Sequence, residues 1–384
     1  MHPKAIGRRD FLRIAGLASA GLAMPSIAQE RADSVPWPVM QTFFTPPEEY
    51  RDRFGDYRSI MKFDDGTPVR TATDWSLRRR EILRYWHREM GSWPPLIANP
   101  RISYQHREQV ENFQRHRVEV EVAPGSVTGP QYLLVPDGKG PFPAVLVTWY
   151  NSADSAGLTV KARGTVDFGY QLAKRGFVVL CIGGINGEDA RHPDGQVGIQ
   201  PLSYLAYTAA NCSHALSHMT EVDADRIGVV GHSFGGKWAM FASCLHERFA
   251  CAVWVDPGIV WNEKDPNANY WEKWYLGYDF AQPPDRQREP GVPGEDRPRT
   301  GAYRRLVEGG HDLHELHALM APRPFLVSGG AQDRPNHWPA LNHTIGVNAF
   351  LGYGGRVAMT MREGHTPTPE SNAQVYAFLE HFLK

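Results

Sequence analysis

The sequence predicts an α/β fold, with a mostly parallel central sheet flanked by helices and an antiparallel hairpin at its N-terminal side. Three observations support this prediction. From about residue 142 to residue 384, short apolar runs alternate with helical stretches, the pattern of βαβ units. The run "FPAVLVTWY" is apolar throughout, as expected of a strand buried on both faces. Upstream, "HRVEVEVA" alternates with the two-residue period of a half-buried strand.

The predicted elements follow in order along the chain. A helix is expected over 74–90, with Asp74 as N-cap and Gly91 at its end. "HRVEVEVA" and "QYLLVP" flank a Gly/Ser/Pro turn and form the predicted hairpin. The later strands are "FPAVLVTWY", "FVVLCIG", "RIGVVG", "ACAVWVD", "RPFLVSGG" and "RVAMTM". Helices are predicted near 160–175, 202–220, 234–246, 337–351 and 370–383.

Composition and length describe an ordinary globular protein. The 384 residues are 42% hydrophobic and 22% charged, with a formal net charge of −1. This balance argues against an electrostatic nucleic-acid or membrane binder. We expect an N-terminal wrapping segment and helix over 29–100 and the main α/β domain over 101–384. A polar and aromatic insertion at about 257–310 interrupts the alternation of strands and helices.

Residues 1–28 have the features of a twin-arginine export signal. Arg8 and Arg9 open the run "RRDFLR", and a moderately apolar stretch follows over 14–24. Small residues at Ser26 and Ala28 predict cleavage after Ala28. The apolar stretch is too short for a membrane-spanning helix. We therefore expect a periplasmic or secreted protein.

The stretch "RIGVVGHSFGGKWAMFAS" contains a G-x-S-x-G motif formed by Gly231, Ser233 and Gly235. A buried-strand pattern precedes the serine, and a helical pattern begins directly after it. A nucleophile elbow needs this strand–serine–helix turn, because it exposes the hydroxyl and directs the helix N-terminus at the site. Ser233 is thus predicted to be a catalytic nucleophile.

A serine nucleophile needs a base to accept its proton and an acid to orient that base. His365, in "MREGHTPTP", follows the last predicted strand and precedes the last helix, where the base is expected. Two acids are possible. Asp333 follows the strand before the histidine-bearing strand and is preferred, and Asp256 ends the strand after the nucleophile helix. For the oxyanion hole we expect the N–H groups of Phe234 and Tyr150.

Over about residues 70–384 the chain resembles an α/β-hydrolase. It is most similar to the branch of carbohydrate esterase family 15 glucuronoyl esterases and acetylxylan-esterase-like enzymes. The segments that carry this resemblance are "DWSLRRREILRYW", "GHSFGGKWA" and "HDLHELHALMAPRPFLV". The resemblance implies a serine esterase that acts on small-molecule or polysaccharide esters, with Lys237 contacting sugar. Phe234 stands where glucuronoyl esterases carry an arginine, which argues against glucuronoyl esters in particular.

Other features leave alternatives open. The insertion holds Trp271 among several aromatic residues, and these could form a substrate platform or pack onto the main domain. His311, His314 and His317 recur at three-residue spacing, which differs from that of H-E-x-x-H zincins. We therefore expect no metal site and no cofactor. A peptidase, a lactone hydrolase and a non-catalytic binding protein are the rival functions.

Overall fold

A ten-stranded mixed sheet forms the centre of the molecule in the computed structural model, which describes residues 35–185, 187 and 198–384. The predicted export signal lies outside the described residues. The strands are β1 Ile102–Val110, β2 Phe113–Ala123, β3 Ser126–Val127, β4 Gln131–Pro136, β5 Phe142–Thr148, β6 Val178–Ile182, β7 Val222–His232, β8 Cys251–Val255, β9 Phe325–Gly329 and β10 Val357–Met361. Their order is β1-β2-β4-β6-β5-β7-β8-β9-β10, with β3 paired to β2.

The sheet is mixed rather than purely parallel. Strands β5 to β10 pair in parallel with one another, as βαβ connections require. The first four strands are antiparallel: β2 pairs with β1, β3 and β4, and β4 pairs with β6. The antiparallel strands therefore occupy one side of the sheet, and the predicted catalytic residues follow strands of the parallel part.

Helices cover both faces of the sheet. They are α1 Trp37–Gln41, α2 Ala72–Met90, α3 Ser152–Ser155, α4 Phe168–Lys174, α5 Pro201–Ser217, α6 Phe234–Leu245, α7 Gly301–Glu308, α8 His314–Ala318, α9 Trp338–Phe350 and α10 Pro369–Leu383. Helix α2 begins with a capping box in which the Thr71 and Asp74 side chains each accept from the other residue's N–H. The sequence prediction assigned the N-cap to Asp74, which is instead the third helical residue.

The predicted helix over 160–175 is only partly right. Helix α4 covers Phe168–Lys174, and Val160–Ala162 form a separate 3₁₀ turn. Between them Gly164 has a φ of 73°, and its N–H donates to Asp167 Oδ1 at 2.8 Å. This local turn satisfies the backbone in a non-helical conformation, so the helix starts later than its apolar pattern predicts.

Two apolar layers form the core, one on each face of the sheet. In β5, Ala144 and Leu146 point into the layer that contains α2, α5 and α6. Val145 and Val147 point into the opposite layer, which contains α4 and α10. Each buried aliphatic side chain of this kind contributes about 1.5–3 kcal/mol of transfer free energy. This burial on both faces explains why the β5 sequence is apolar throughout rather than alternating.

Candidate active site

Ser233 lies in a strained turn between β7 and α6. Its φ is 55° and its ψ is −116°, a conformation that side-chain-bearing residues rarely adopt. Two backbone hydrogen bonds hold it: the Ser233 N–H donates to Val255 O at 2.9 Å, and its carbonyl accepts from Lys237 N at 2.9 Å. The predicted strand–serine–helix turn is therefore present in the structure.

Glycine is required on both sides of the serine because three backbone segments meet there. A Cβ at Gly231 would lie 2.1 Å from the Gly235 carbonyl oxygen. A Cβ at Gly235 would lie 2.0 Å from the Thr148 carbonyl oxygen. The Thr148 hydroxyl also donates to Gly235 O at 2.7 Å, which ties β5 to the start of α6. The motif thus reflects close approach of the backbones around Ser233.

His365 forms a short hydrogen bond with Asp256. Its Nδ1 lies 2.6 Å from Asp256 Oδ2, and the carboxylate is fully buried at the end of β8. Burial alone would raise the pKa of Asp256. The hydrogen bonds from His365 and from the Asp333 N–H, together with the Arg362 charge, hold that pKa below its usual value instead. Asp256 is therefore ionised at neutral pH and can orient the imidazole.

The preference for Asp333 as the partner of His365 is corrected by this geometry. The Asp333 carboxylate accepts from Ile259 N at 2.6 Å and from Gly258 N at 3.0 Å. The Asp333 N–H donates to Asp256 Oδ1 at 2.8 Å. Asp333 thus fixes the chain that follows β8 and supports Asp256 through its backbone.

Two further residues, His232 and Arg362, hold the histidine loop. His232 Nε2 lies 2.9 Å from the His365 carbonyl oxygen, and Arg362 donates to the same oxygen. Arg362 also donates to the Ser328 and Gly329 carbonyls at the end of β9. Burial lowers the pKa of His232 to about 3, so its imidazole is neutral. No sequence motif pointed to these contacts, because they are made to backbone oxygens.

The two N–H groups expected in the oxyanion hole make no hydrogen bond within the described residues. Phe234 is the first residue of α6, where an N–H has no intrahelical partner. Tyr150 follows β5, and its carbonyl accepts from Gly184 N at 2.8 Å. The Tyr150 and Phe234 rings stack with centroids 4.7 Å apart. Stacking therefore holds Tyr150 against the residue that directly follows Ser233.

The sugar contact expected of Lys237 does not fit the structure, and of the two alternatives for Trp271 the structure fits packing rather than a substrate platform. Lys237 is 2% exposed, and its Nζ donates to Pro257 O at 2.6 Å and to Asn267 O at 3.1 Å. Trp271 is 1% exposed, and its Nε1 donates to Gly291 O at 2.9 Å. Both side chains hold the insertion together, and Lys237 fastens it to α6. Burial lowers the pKa of Lys237 to about 8.

The insertion also lines a cavity of about 810 Å³ that is open to the surface. Its lining is strongly charged and includes Asp279, Arg286, Arg288, Glu295 and Arg297. None of the residues described around Ser233 lines this cavity. It therefore belongs to the insertion and is separate from the candidate active site.

The three histidines at three-residue spacing lie in a buried region around α8. His311 Nδ1 contacts Glu315 Oε2 at 2.8 Å, and His314 Nε2 contacts Arg58 O at 2.9 Å. His317 is fully buried. In the part of the chain that the structure describes, no group of three or more His, Cys, Asp or Glu side chains is arranged to hold a metal ion. The contacts of His311 and His314 and the burial of His317 are those of histidines packed in the protein interior.

Buried histidines predict a loss of stability on acidification. Burial lowers the pKa of His314 to about 4 and of His246 and His232 to about 3, against about 6.5 in the unfolded chain. Below pH 6.5 the unfolded state binds protons that the folded state does not. Each such histidine then lowers the free energy of unfolding by about 1.4 kcal/mol for every unit by which the pH falls, until the pH reaches the pKa of that histidine in the folded state. Urea unfolding between pH 7.5 and 4.5 should show a falling free energy, with a shallower slope for His246→Gln. A free energy independent of pH would contradict this.

Comparison with known proteins gives the following matches. The family model described as PET hydrolase-like matches residues 155–267. A glucuronoyl esterase from Solibacter usitatus is 18% identical with a TM-score of 0.65, covering 85% of this chain and 98% of that chain. A carbohydrate esterase family 15 glucuronoyl esterase from Teredinibacter turnerae is 19% identical with a TM-score of 0.61, covering 85% and 89%. A putative acetyl xylan esterase from Bacteroides fragilis is 16% identical with a TM-score of 0.55, covering 84% and 80%.

The chain has the α/β-hydrolase fold. The similarity to these solved structures extends over most of both chains and confirms the resemblance at the level of the fold. No curated protein matches the chain. Among the described residues of this α/β-hydrolase fold, no helix is long and apolar enough to cross a membrane.

Proposed function

We propose that this protein is a serine carboxyl-ester hydrolase whose nucleophile is Ser233, whose general base is His365 and whose orienting acid is Asp256. The observation that carries the proposal is the 2.6 Å hydrogen bond between His365 and the buried Asp256, in a chain whose G-x-S-x-G serine lies in a strained turn. A binding protein would need neither the strained serine nor a buried carboxylate kept ionised against its desolvation.

The proposed reaction has two steps. The Ser233 oxygen attacks the ester carbonyl while His365 Nε2 takes its proton, and Asp256 stabilises the imidazolium that forms. The N–H groups of Phe234 and Tyr150 bind the oxyanion of the tetrahedral intermediate. The protonated His365 then gives its proton to the departing alcohol, and an acyl-enzyme remains. Water, deprotonated by His365, attacks this acyl-enzyme and releases the acid.

We propose esterified carbohydrate as the substrate class, with acetyl esters preferred over uronoyl esters. The similar structures include a putative acetyl xylan esterase and glucuronoyl esterases, which supports carbohydrate esters as a class. Phe234 supports the preference, because its side chain has no charge or donor to offer a uronoyl group. Lys237 does not supply the charge that Phe234 lacks, since its ammonium group is buried against backbone carbonyls.

A substrate panel tests the proposal. Purified enzyme is assayed on acetylated xylo-oligosaccharides, benzyl glucuronate, a sugar lactone and a peptide p-nitroanilide. We expect kcat/KM to be highest for the acetylated sugar and at least about tenfold lower for benzyl glucuronate, since loss of one contact to a charged group is worth about 1.5–3 kcal/mol. Faster turnover of the lactone or the anilide than of both esters would contradict the proposal.

We also propose export through the twin-arginine route, followed by action in the periplasm or outside the cell. The support is the run that begins at Arg8 and Arg9 and the small residues before position 29. Cell fractionation should find the protein outside the cytoplasm. Replacing both arginines by lysine should block export and retain the protein in the cytoplasm. Unchanged export of that double variant would contradict the proposal.

A further inference from the structure

Arg362 is a buried cation between the end of β9 and the loop that carries His365. Its side chain is only 5% exposed. Its Nε donates to Thr366 O at 3.1 Å, and its Nη1 donates to the carbonyl oxygens of Ser328 at 2.9 Å and Gly329 at 3.1 Å. Its Nη2 donates to the carbonyl oxygen of His365 itself. One guanidinium group therefore ties the backbone of the histidine loop to the backbone at the end of β9.

The same guanidinium group brings a positive charge to the carboxylate that bonds His365. Arg362 Nη2 lies 3.8 Å from Asp256 Oδ2, the oxygen that lies 2.6 Å from His365 Nδ1. Because this one oxygen is near both groups, the two nitrogen atoms are no more than about 6.4 Å apart, a distance at which two charges still interact near a protein interior. The Asp256 carboxylate favours the protonated imidazole, and the Arg362 charge opposes it.

The other titratable groups around His365 do not supply a positive charge. The ring of His232 lies at the end of β7 with its centroid 4.6 Å from that of His365, and burial lowers the pKa of His232 to about 3, so this ring is neutral. Asp333 follows β9, and its buried carboxylate accepts from backbone N–H groups. Glu363, in the histidine loop itself, is exposed. Among these groups, the positive charge at neutral pH is that of Arg362.

We propose that Arg362 is a positioning residue of the His365–Asp256 pair, which fixes the backbone of His365 and, through its charge beside Asp256, sets the lower pH limit of activity. The inference rests on the proposed serine ester hydrolysis, in which only neutral His365 takes the proton of Ser233. The Arg362 charge disfavours a second positive charge on the imidazole, so His365 stays neutral at a lower pH than it would beside Asp256 alone. Arg362 itself neither gives nor takes a proton.

Two substitutions at Arg362 separate its charge from its hydrogen bonds. Arg362→Gln removes the charge, and the acid limb of the pH profile of kcat/KM on p-nitrophenyl acetate should move upwards by about 0.5–1 pH unit. Arg362→Lys keeps the charge but loses the planar fork of donors, so its acid limb should stay within about 0.2 pH unit of the parent. Both variants should lower kcat by about 10- to 100-fold at their best pH, because the histidine loop is less well fixed.

Arg323→Gln is the matched control, because Arg323 also donates to backbone carbonyl oxygens. Its partners are Ser243 at 2.9 Å, Phe249 at 3.0 Å and Leu319 at 3.1 Å. Arg323 precedes β9, whereas the strand contacts of Arg362 are at the other end of β9. The Arg323→Gln variant should have a lower melting temperature and the pH profile of the parent enzyme.

The pH profile distinguishes a charge effect from a loss of structure. An Arg362→Gln variant that is folded by circular dichroism and keeps the acid limb of the parent would overturn the proposal, as would an equal shift in Arg323→Gln. If Arg362→Gln does not fold, Arg362→Lys decides, because an acid limb shifted upwards in spite of the lysine charge would also overturn the proposal.

Ser233→Ala, assayed in parallel, distinguishes this inference from the proposed function. If Ser233→Ala is inactive and Arg362→Gln keeps the parent profile, the ester hydrolase stands and only the role of Arg362 fails. If Ser233→Ala remains active while folded, the proposed hydrolase itself fails.

Discussion

Ser233→Ala is expected to lower kcat on p-nitrophenyl acetate by about 10⁵-fold or more, because loss of the nucleophile removes the covalent route altogether. The substitution deletes one hydroxyl and leaves the backbone of the turn and its hydrogen bonds to Val255 and Lys237 in place. The midpoint of thermal unfolding should therefore stay within about 2 °C of the parent protein, which corresponds to about 1 kcal/mol for a chain of this length. Initial rates and a thermal melt on the same preparation check both expectations.

The matched control for this variant is Ser217→Ala. Ser217 is a partly exposed serine at the end of α5, and its hydroxyl donates to His214 O. The Ser217→Ala variant should retain the activity of the parent enzyme. If Ser233→Ala keeps more than about a tenth of the parent kcat while folded, Ser233 is not the nucleophile.

Asp256→Asn should lower kcat by about 10³- to 10⁴-fold. An amide cannot stabilise the imidazolium, and its NH₂ group would favour the wrong tautomer of His365. Asp333→Asn is the matched comparison, because both carboxylates are fully buried and are hydrogen-bonded by backbone N–H groups. Asp333→Asn should lower kcat by less than about tenfold and should mainly reduce the melting temperature, since it weakens the bonds to Gly258 and Ile259.

The comparison of the two variants gives a clear alternative outcome. If Asp333→Asn loses activity by several powers of ten and Asp256→Asn does not, the orienting acid is Asp333 and not Asp256. Circular dichroism of both variants confirms that each is folded before the rates are compared.

The nucleophile turn could be predicted from sequence because its signal is local. Ser233, its two glycines, the strand before it and the helix after it lie within the 24 residues from Val222 to Leu245, and the close backbone approach leaves only glycine possible at Gly231 and Gly235. The position of His365 could be predicted for a similar reason, since it follows the last strand and precedes the last helix. Chain order therefore carries much of the information about these two residues.

The choice between the acids depended on information that the sequence does not contain. Asp256 and Asp333 follow the neighbouring parallel strands β8 and β9, so both reach the same edge of the sheet. Which carboxylate meets His365 is decided by the loop conformations, including the φ of 53° at Asp256. The buried position of Lys237 was missed, and the two alternatives for Trp271 stayed open, because both positions depend on how the insertion folds.

In the proposed reaction Ser233 carries the acyl group during turnover. Intact-mass analysis after treatment with a fluorophosphonate, followed by peptide mapping, tests it directly. We expect one adduct per chain, located on Ser233, with activity lost in proportion to labelling and no labelling of Ser233→Ala. An adduct on another residue, or full activity after complete labelling of Ser233, would show that Ser233 is not the nucleophile.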